Sequence, residues 1–328
     1  MSTPTSLDLP DGVRRTTIRT ARGVFAALEA VPASGVCERE AALLVPGYTG
    51  SKEDFLAILD LLADDSRRVV AIDMRGQFET PGADDPGGYA AAALGADIIA
   101  IMHATGARHL VGHSYGGLIG REAVLAGTSS AGTGSSSEIV SFTLMSSGPA
   151  ALNGPRAKEL RAMLALLGAE EGPGDRQRHD ATLDPAALRA GISGLWQTHL
   201  EPQAVAAGVP GHIVAFLGLR MLSNDPDGLI LMARHMLTAP DRTAELARLD
   251  QIPVLIIYGE DDNSWSPAAQ ENMARRLGAR RLCIPAAVHS PAVEAPATTA
   301  SALTQFWDAA EAALTKTASA RPAAVTRT

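Results

Sequence analysis

The sequence predicts an α/β fold: a mostly parallel sheet flanked by helices, with a helical cap insertion. Three observations carry this. Short continuous apolar runs recur at Ala41–Val45, Val69–Ile72, His109–Val111, Ile139–Met145 and Val254–Ile257, as in strands buried on both faces. Helical patterns alternate with these runs, which implies parallel strands with helices packed on both sides. The alternation then breaks between about Ala150 and Pro240, where helical segments follow one another without a clear strand.

The elements follow in order. Arg14–Thr20 and Val24–Ala30 mix β-branched and polar residues around Ala21-Arg22-Gly23, the pattern of an antiparallel hairpin. The run Ala41–Val45 stops at Pro46-Gly47. Ser51 and Asp54 have capping-box spacing, and Phe55, Ile58, Leu59 and Leu62 follow at helical intervals. Tyr89–Ala104 places Leu94, Ile98, Ile99 and Met102 on one helical stripe, and Leu118–Leu125 is a further helix. Thr128–Ser137 is a loop of small residues.

The insertion holds helical segments at Pro155–Leu167, Pro185–Leu200, Ala204–Leu219 and Pro226–Leu237. Punctuation at Glu171–Asp175 and Ser223–Pro226 separates them. Beyond it, Ser266-Pro267 marks a helix start, Arg281–Ile284 is a weaker strand, and Ala295–Leu314 is a closing helix. Residues 1–149 and 241–314 are therefore expected to form one core, 150–240 a cap and 315–328 a flexible tail.

Composition narrows the function. With 328 residues and 46% hydrophobic content, the chain is long enough for a large core and is not disordered. No run approaches the ~18 apolar residues of a spanning helix, so no membrane partner is expected. Met1–Asp11 has no apolar stretch after a basic start, so no secretory leader is expected. A net charge of −8 argues against a nucleic-acid partner. Two cysteines, Cys37 and Cys283, can build neither a disulfide framework nor a four-thiolate zinc site, which points to a reducing cytoplasm. No metal-ligand spacing and no phosphate or dinucleotide loop emerges, so no metal and no cofactor is expected. The expected partner is a small-molecule substrate; a homodimer is left open.

The chemistry centres on Gly112-His113-Ser114-Tyr115-Gly116-Gly117, which follows one strand and opens one helix. A serine between glycines at such a junction sits on a sharp turn that lifts its hydroxyl above the sheet. The helix N-terminus behind it favours negative charge. A serine alcohol needs a base, and the base needs an orienting acid. Asp262 lies just past the strand ending at Tyr258-Gly259, with Asp261 and Glu260 beside it; Asp262 is favoured over Asp261. His289, in Ala287–Pro291, is the one histidine beyond that acid. Acyl transfer also needs two N–H groups for the oxyanion. These are expected from Tyr115, next to the nucleophile, and from Tyr48, in the loop Pro46–Gly50.

Together these segments resemble the α/β-hydrolase superfamily, over roughly residues 14–149 and 241–314. Gly112–Gly116 is similar to the nucleophile elbow of a serine-nucleophile member. Gly259-Glu260-Asp261-Asp262 resembles the acid segment, which supports Asp262. His289-Ser290-Pro291 with Glu294 and Pro296 is similar to the histidine segment. Asp73-Met74-Arg75-Gly76 resembles the loop after the fourth strand. Two departures stand out: Pro46-Gly47 replaces the usual His-Gly, and Gly76-Gln77-Phe78 replaces Gly-His-Gly.

The resemblance implies a serine hydrolase working through an acyl-enzyme, with a cap that selects substrate. The expected substrate is a mainly apolar small molecule carrying an ester, thioester or lactone bond. Gln77, Phe78, Trp196, Phe216, Met232, Met236 and Trp265 are the expected pocket residues. The same family also leaves room for a non-hydrolytic receptor, cyclase or acyltransferase, a carbon–carbon bond hydrolase, a cofactor-free perhydrolase or an iminopeptidase.

Overall fold

The computed structural model describes residues 2–63, 66–129, 139–169 and 184–320. Eight strands form one sheet: β1 Val13–Thr20, β2 Gly23–Ala30, β3 Ala41–Val45, β4 Val69–Ile72, β5 Ala107–His113, β6 Ser141–Met145, β7 Val254–Gly259 and β8 Arg280–Ile284. Their order is β1-β2-β4-β3-β5-β6-β7-β8. β1 pairs antiparallel with β2, and β2 antiparallel with β4; every later pairing is parallel.

The continuous apolar runs have a direct cause. Successive strand residues point to opposite faces, and both faces are covered. Leu43, Val45, Val70 and Ile72 enter one apolar layer, while Ala42, Leu44, Val69 and Ala71 enter the other. Helices α1 Leu56–Ala63 and α12 Pro296–Ala320 cover the second layer through residues such as Leu59 and Trp307. Helices α2 Ala91–Thr105 and α3 Tyr115–Ser129 cover the first.

The strand order places the site. The chain leaves β3 toward β4 on one side, then passes back to β5 on the other side of β3. That reversal opens a crevice at the carboxyl ends of β3 and β5, where open α/β sheets bind ligands. The loops after these two strands hold Tyr48 and Ser114.

Between β6 and β7 the described residues contain only helices: α4 Gly154–Leu166, α5 Pro185–Leu195, α6 Glu201–Ala206, α7 Gly211–Ser223 and α8 Pro226–Thr238. They build the cap. The short α9 Thr243–Leu246 leads back to β7, followed by α10 Pro267–Leu277 and α11 Pro291–Glu294.

Three details differ from the sequence expectation. The segment Ala204–Leu219 is not one helix. α6 stops at Ala206, Gly208 takes φ 75°, and α7 begins only at Gly211, because Pro210 lacks an N–H and disfavours helix in the residue before it. The segment Pro185–Leu200 widens into a π-turn at Trp196–Leu200 and runs on into α6. The closing helix continues past Leu314 to Ala320, so Thr315–Ala320 is helix where a tail was expected. Of the expected loop Thr128–Ser137, Thr128 and Ser129 belong to α3 and the rest lies outside the described residues, as do Glu171–Asp175 and residues 321–328.

A buried ion pair joins cap to core. Arg220 of α7 is fully buried; it donates to Asp54 Oδ1 at 2.6 Å and to the Ser2 carbonyl at 2.7 Å. Its guanidinium lies 5.3 Å from the Phe216 ring centre. Removing one partner of such a pair strands a buried charge. Arg220→Ala should therefore lose about 3–5 kcal/mol in urea denaturation. Arg220→Met combined with Asp54→Leu should recover most of that loss; a double variant as weak as the single one contradicts this account.

Candidate active site

Ser114 sits between the last residue of β5 and the first of α3, with φ 54°. Non-glycine residues seldom adopt this left-handed conformation, and it persists only where the surroundings enforce it. Here they do. Ser114 N–H donates to Met145 O at 2.8 Å, and Gly117 N–H donates to Ser114 O at 3.0 Å. A Cβ on Gly112 would lie 2.4 Å from Gly116 O, and a Cβ on Gly116 would lie 2.4 Å from Pro46 O. Both glycines are thus demanded by the closeness of the turn to itself and to the β3 loop.

The loops after β7 and β8 bring the acid and the imidazole to this turn. His289 Nε2 lies 2.9 Å from Ser114 Oγ, positioned to accept its proton. His289 Nδ1–H donates to Asp262 Oδ1 at 3.0 Å. Asp262 is buried, whereas Asp261 is exposed and its amide donates to Ala287 O at 3.0 Å. Of the two adjacent aspartates, Asp262 is the one that meets His289.

Three supporting residues escaped the sequence analysis or were underrated by it. Gln270 of α10 donates to Asp262 Oδ2 at 2.8 Å and also to Trp265 O at 2.8 Å. Glu294 accepts from Val288 N at 2.5 Å and from Ser290 N at 3.2 Å, bracing His289 from both sides. His113, inside the serine turn, donates from Nε2 to the His289 carbonyl at 2.7 Å. Burial, reinforced by the neighbouring His289, pushes His113 down to about 3, so it stays neutral and keeps that donor. These contacts join residues far apart in sequence, and single-chain spacing carries no signal for them. Glu294 alone was marked, through its place in the histidine segment.

The β3 loop lies against the serine. A Cβ on Gly47 would be 3.0 Å from Ser114 Cβ and 3.4 Å from its Oγ. Tyr48 follows. Its hydroxyl reaches the cap, donating to Leu229 O at 2.9 Å and lying 3.9 Å from Met163 Sδ. The Tyr115 hydroxyl likewise hydrogen-bonds His235 Nδ1 of α8 at 3.2 Å.

The expected pocket residues divide. Phe78 and Phe216 meet edge to face at 5.6 Å. Lys52 Nζ stands 4.6 Å from the Phe78 ring centre, but Asp73 at 2.8 Å and Glu79 at 2.6 Å already pair it. Trp265 lies 6.5 Å from the His289 ring and donates to Ala150 O at 2.9 Å. Gln77 is buried, with its amide turned onto Gly47 O at 3.0 Å. Trp196 packs over Gly218, and Met232 and Met236 are buried in the same apolar layer of the cap. Among the described residues, no group of three His, Cys, Asp or Glu side chains is arranged to hold a metal ion, and no helix is long and apolar enough to cross a membrane.

Comparison with known proteins adds to this geometry. A model of the alpha/beta hydrolase family matches residues 42–302. The chain is 40% identical over 93 residues to the "Putative carbamate hydrolase RutD" of Variovorax paradoxus (strain S110); the match covers 28% of this chain and 35% of that protein. It thus spans about a third of that curated relative. The "putative lipase (lip1)" of Acinetobacter baumannii AYE superposes with a TM-score of 0.65 at 19% identity, over 92% of this chain and 93% of that one. A hydrolase from Pseudomonas aeruginosa PA01 gives 0.63 at 23% identity, over 89% and 98%. At these identities the two structures speak for the fold alone.

The neutrality of His113 has a consequence for stability. Its folded value lies below the ordinary 6.5, so the unfolded chain binds a proton there that the folded chain refuses. The stability it confers is complete above about pH 6.5 and drains away as pH falls toward 3. His113→Asn keeps a donor and cannot titrate. Between about pH 7 and pH 4, urea midpoints of this variant should fall less steeply than those of the wild type. Parallel curves would contradict the assignment.

Proposed function

The chain belongs to the alpha/beta hydrolase family, and we propose that it is a serine hydrolase that cleaves an ester-like bond of a mainly apolar small molecule. The observation that carries this reading is the hydrogen-bonded line from Asp262 through His289 to Ser114.

The steps follow from the atoms. Ser114 Oγ attacks the carbonyl carbon while His289 Nε2 takes its proton. Asp262 accepts a hydrogen bond from Nδ1–H, which keeps Nε2 free as the base and stabilises the imidazolium that forms. The tetrahedral oxyanion is held by the N–H of Tyr115, at the N-terminus of α3, and by the N–H of Tyr48. Collapse expels the alcohol with the proton from His289. Water, activated by the same imidazole, then releases the acid and restores Ser114.

Apolar neighbours support an uncharged substrate: Trp265 stands beside His289, Met163 lies at the Tyr48 hydroxyl, and Phe78 packs on Phe216. Two buried cations, Lys52 and Arg220, are paired with Asp73 and Asp54. The carbamate in the name of the Variovorax relative is a related acyl derivative, open to the same attack. A panel of p-nitrophenyl esters, thioesters, lactones and aryl carbamates therefore defines the bond class.

Two variants test the roles. Ser114→Ala should fold normally and lose at least ~10³-fold in ester hydrolysis. Asp262→Asn should lose about 10³–10⁴-fold in kcat through the wrong imidazole tautomer, while Asp261→Asn, exposed and away from His289, should change kcat less than about twofold. Undiminished turnover in Ser114→Ala, or a reversed order of the two aspartates, would overturn the assignment.

A further inference from the structure

We infer that Gln77 is a positioning residue for the oxyanion site: it locks the Gly47–Tyr48 peptide so that the Tyr48 N–H faces the oxygen turned negative by Ser114. The inference rests on the serine-hydrolase reading above and concerns what holds one of its donors.

The geometry begins with the peptide plane. In a trans peptide the C=O and the following N–H point in opposite directions, and no cis bond is present among the described residues. Whatever holds the Gly47 oxygen on one side therefore aims the Tyr48 N–H to the other. Two donors hold it: Gln77 Nε2 at 3.0 Å and Gly50 N at 3.1 Å. Both lone pairs of the carbonyl are occupied, so the plane cannot rotate without breaking two hydrogen bonds. Gly47 itself lies flush against Ser114. The Tyr48 N–H meets no protein acceptor among the described residues, as a donor reserved for substrate must.

The Gln77 side chain has no alternative orientation. Turning the amide over would set Oε1 against the Gly47 oxygen, acceptor to acceptor. As it stands, Oε1 is buried without a partner among the described residues. A buried unsatisfied acceptor is unfavourable and rare enough to require a reason. The reason is the donor kept on Gly47. That donor also draws electron density toward the carbonyl oxygen, which strengthens the N–H of the same peptide.

Gln77 is itself fixed. Its N–H donates to Met74 O and its carbonyl accepts from Thr80 N, both at 2.9 Å. The preceding Gly76 carbonyl accepts from Asp225 N, at the start of α8, at 2.8 Å. Because β3 and β4 are parallel neighbours, the loops after them adjoin, and Gln77 bridges them. In this chain it stands where the family resemblance leads one to expect histidine. A histidine ring N–H of similar reach could make the same bond.

The test uses Gln77→Leu, which keeps the volume and removes the donor, and Gln77→His, which restores one. With p-nitrophenyl acetate, Gln77→Leu should lose about 10–100-fold in kcat with KM within about threefold, part of the loss seen when an oxyanion donor is removed outright. Affinity for phenylboronic acid, which forms a tetrahedral adduct on the serine, should weaken by the same factor as kcat/KM. Gln77→His should recover kcat to within about fivefold of wild type. A folded Gln77→Leu with wild-type kcat and boronate affinity overturns the inference. If Gln77→Leu does not fold, Gln77→His decides: folded and active supports the role, folded and as impaired as a lost donor overturns it. A wild-type chain that hydrolyses no ester in the panel refutes the serine-hydrolase reading itself, an outcome seen before any variant is made.

Discussion

The site hangs on the backbone at Ser114. A left-handed φ at a non-glycine residue is tolerated only because neighbouring groups enforce it, and the sheet supplies those groups. The end of β6 holds the serine amide, and the β3 loop presses on Gly116. With the turn in place, other features follow from strand order. The hydroxyl rises at the crevice where the chain reverses direction. The β3 loop lies beside it, and β7 and β8 deliver Asp262 and His289 in adjacent loops. None of these loops could be exchanged for another without reordering the sheet.

The cap is tied into this arrangement by polar contacts as well as by apolar packing. Arg220 reaches Asp54 and the chain near Ser2, Tyr48 reaches Leu229, Tyr115 reaches His235, and Asp225 reaches Gly76. Tyr48, Tyr115 and Gly76 either adjoin Ser114 or lead directly to its neighbouring loop. The cap thus reports on, and restrains, the same peptides that would carry the oxyanion. Ser114 itself is only 7% exposed.

Much of this was legible in the sequence, and the boundary is instructive. Strands read clearly because burial on both faces writes a continuous apolar run, as at Leu43-Leu44-Val45. The serine turn read clearly because backbone crowding leaves room for little besides glycine at 112 and 116. The segment Ala204–Leu219 misled because its apolar residues keep a helical rhythm across Gly208 and Pro210, where backbone chemistry overrides periodicity. Gln270, His113 and the orientation of Gln77 were hidden for a different reason. Each acts through a hydrogen bond to a residue brought near by the fold, and such partners leave no local pattern. The motif places Gln77 at a pocket wall; its side chain instead faces the Gly47 carbonyl.

On this reading the turn, the base and the oxyanion donors make Ser114 the single activated nucleophile. The most direct measurement is reaction of the folded wild-type chain with a fluorophosphonate, followed by intact-mass and peptide mass spectrometry. The account predicts one adduct per chain, on the peptide containing Ser114, and none after denaturation. No adduct on the folded protein, or an adduct on another residue, would contradict it.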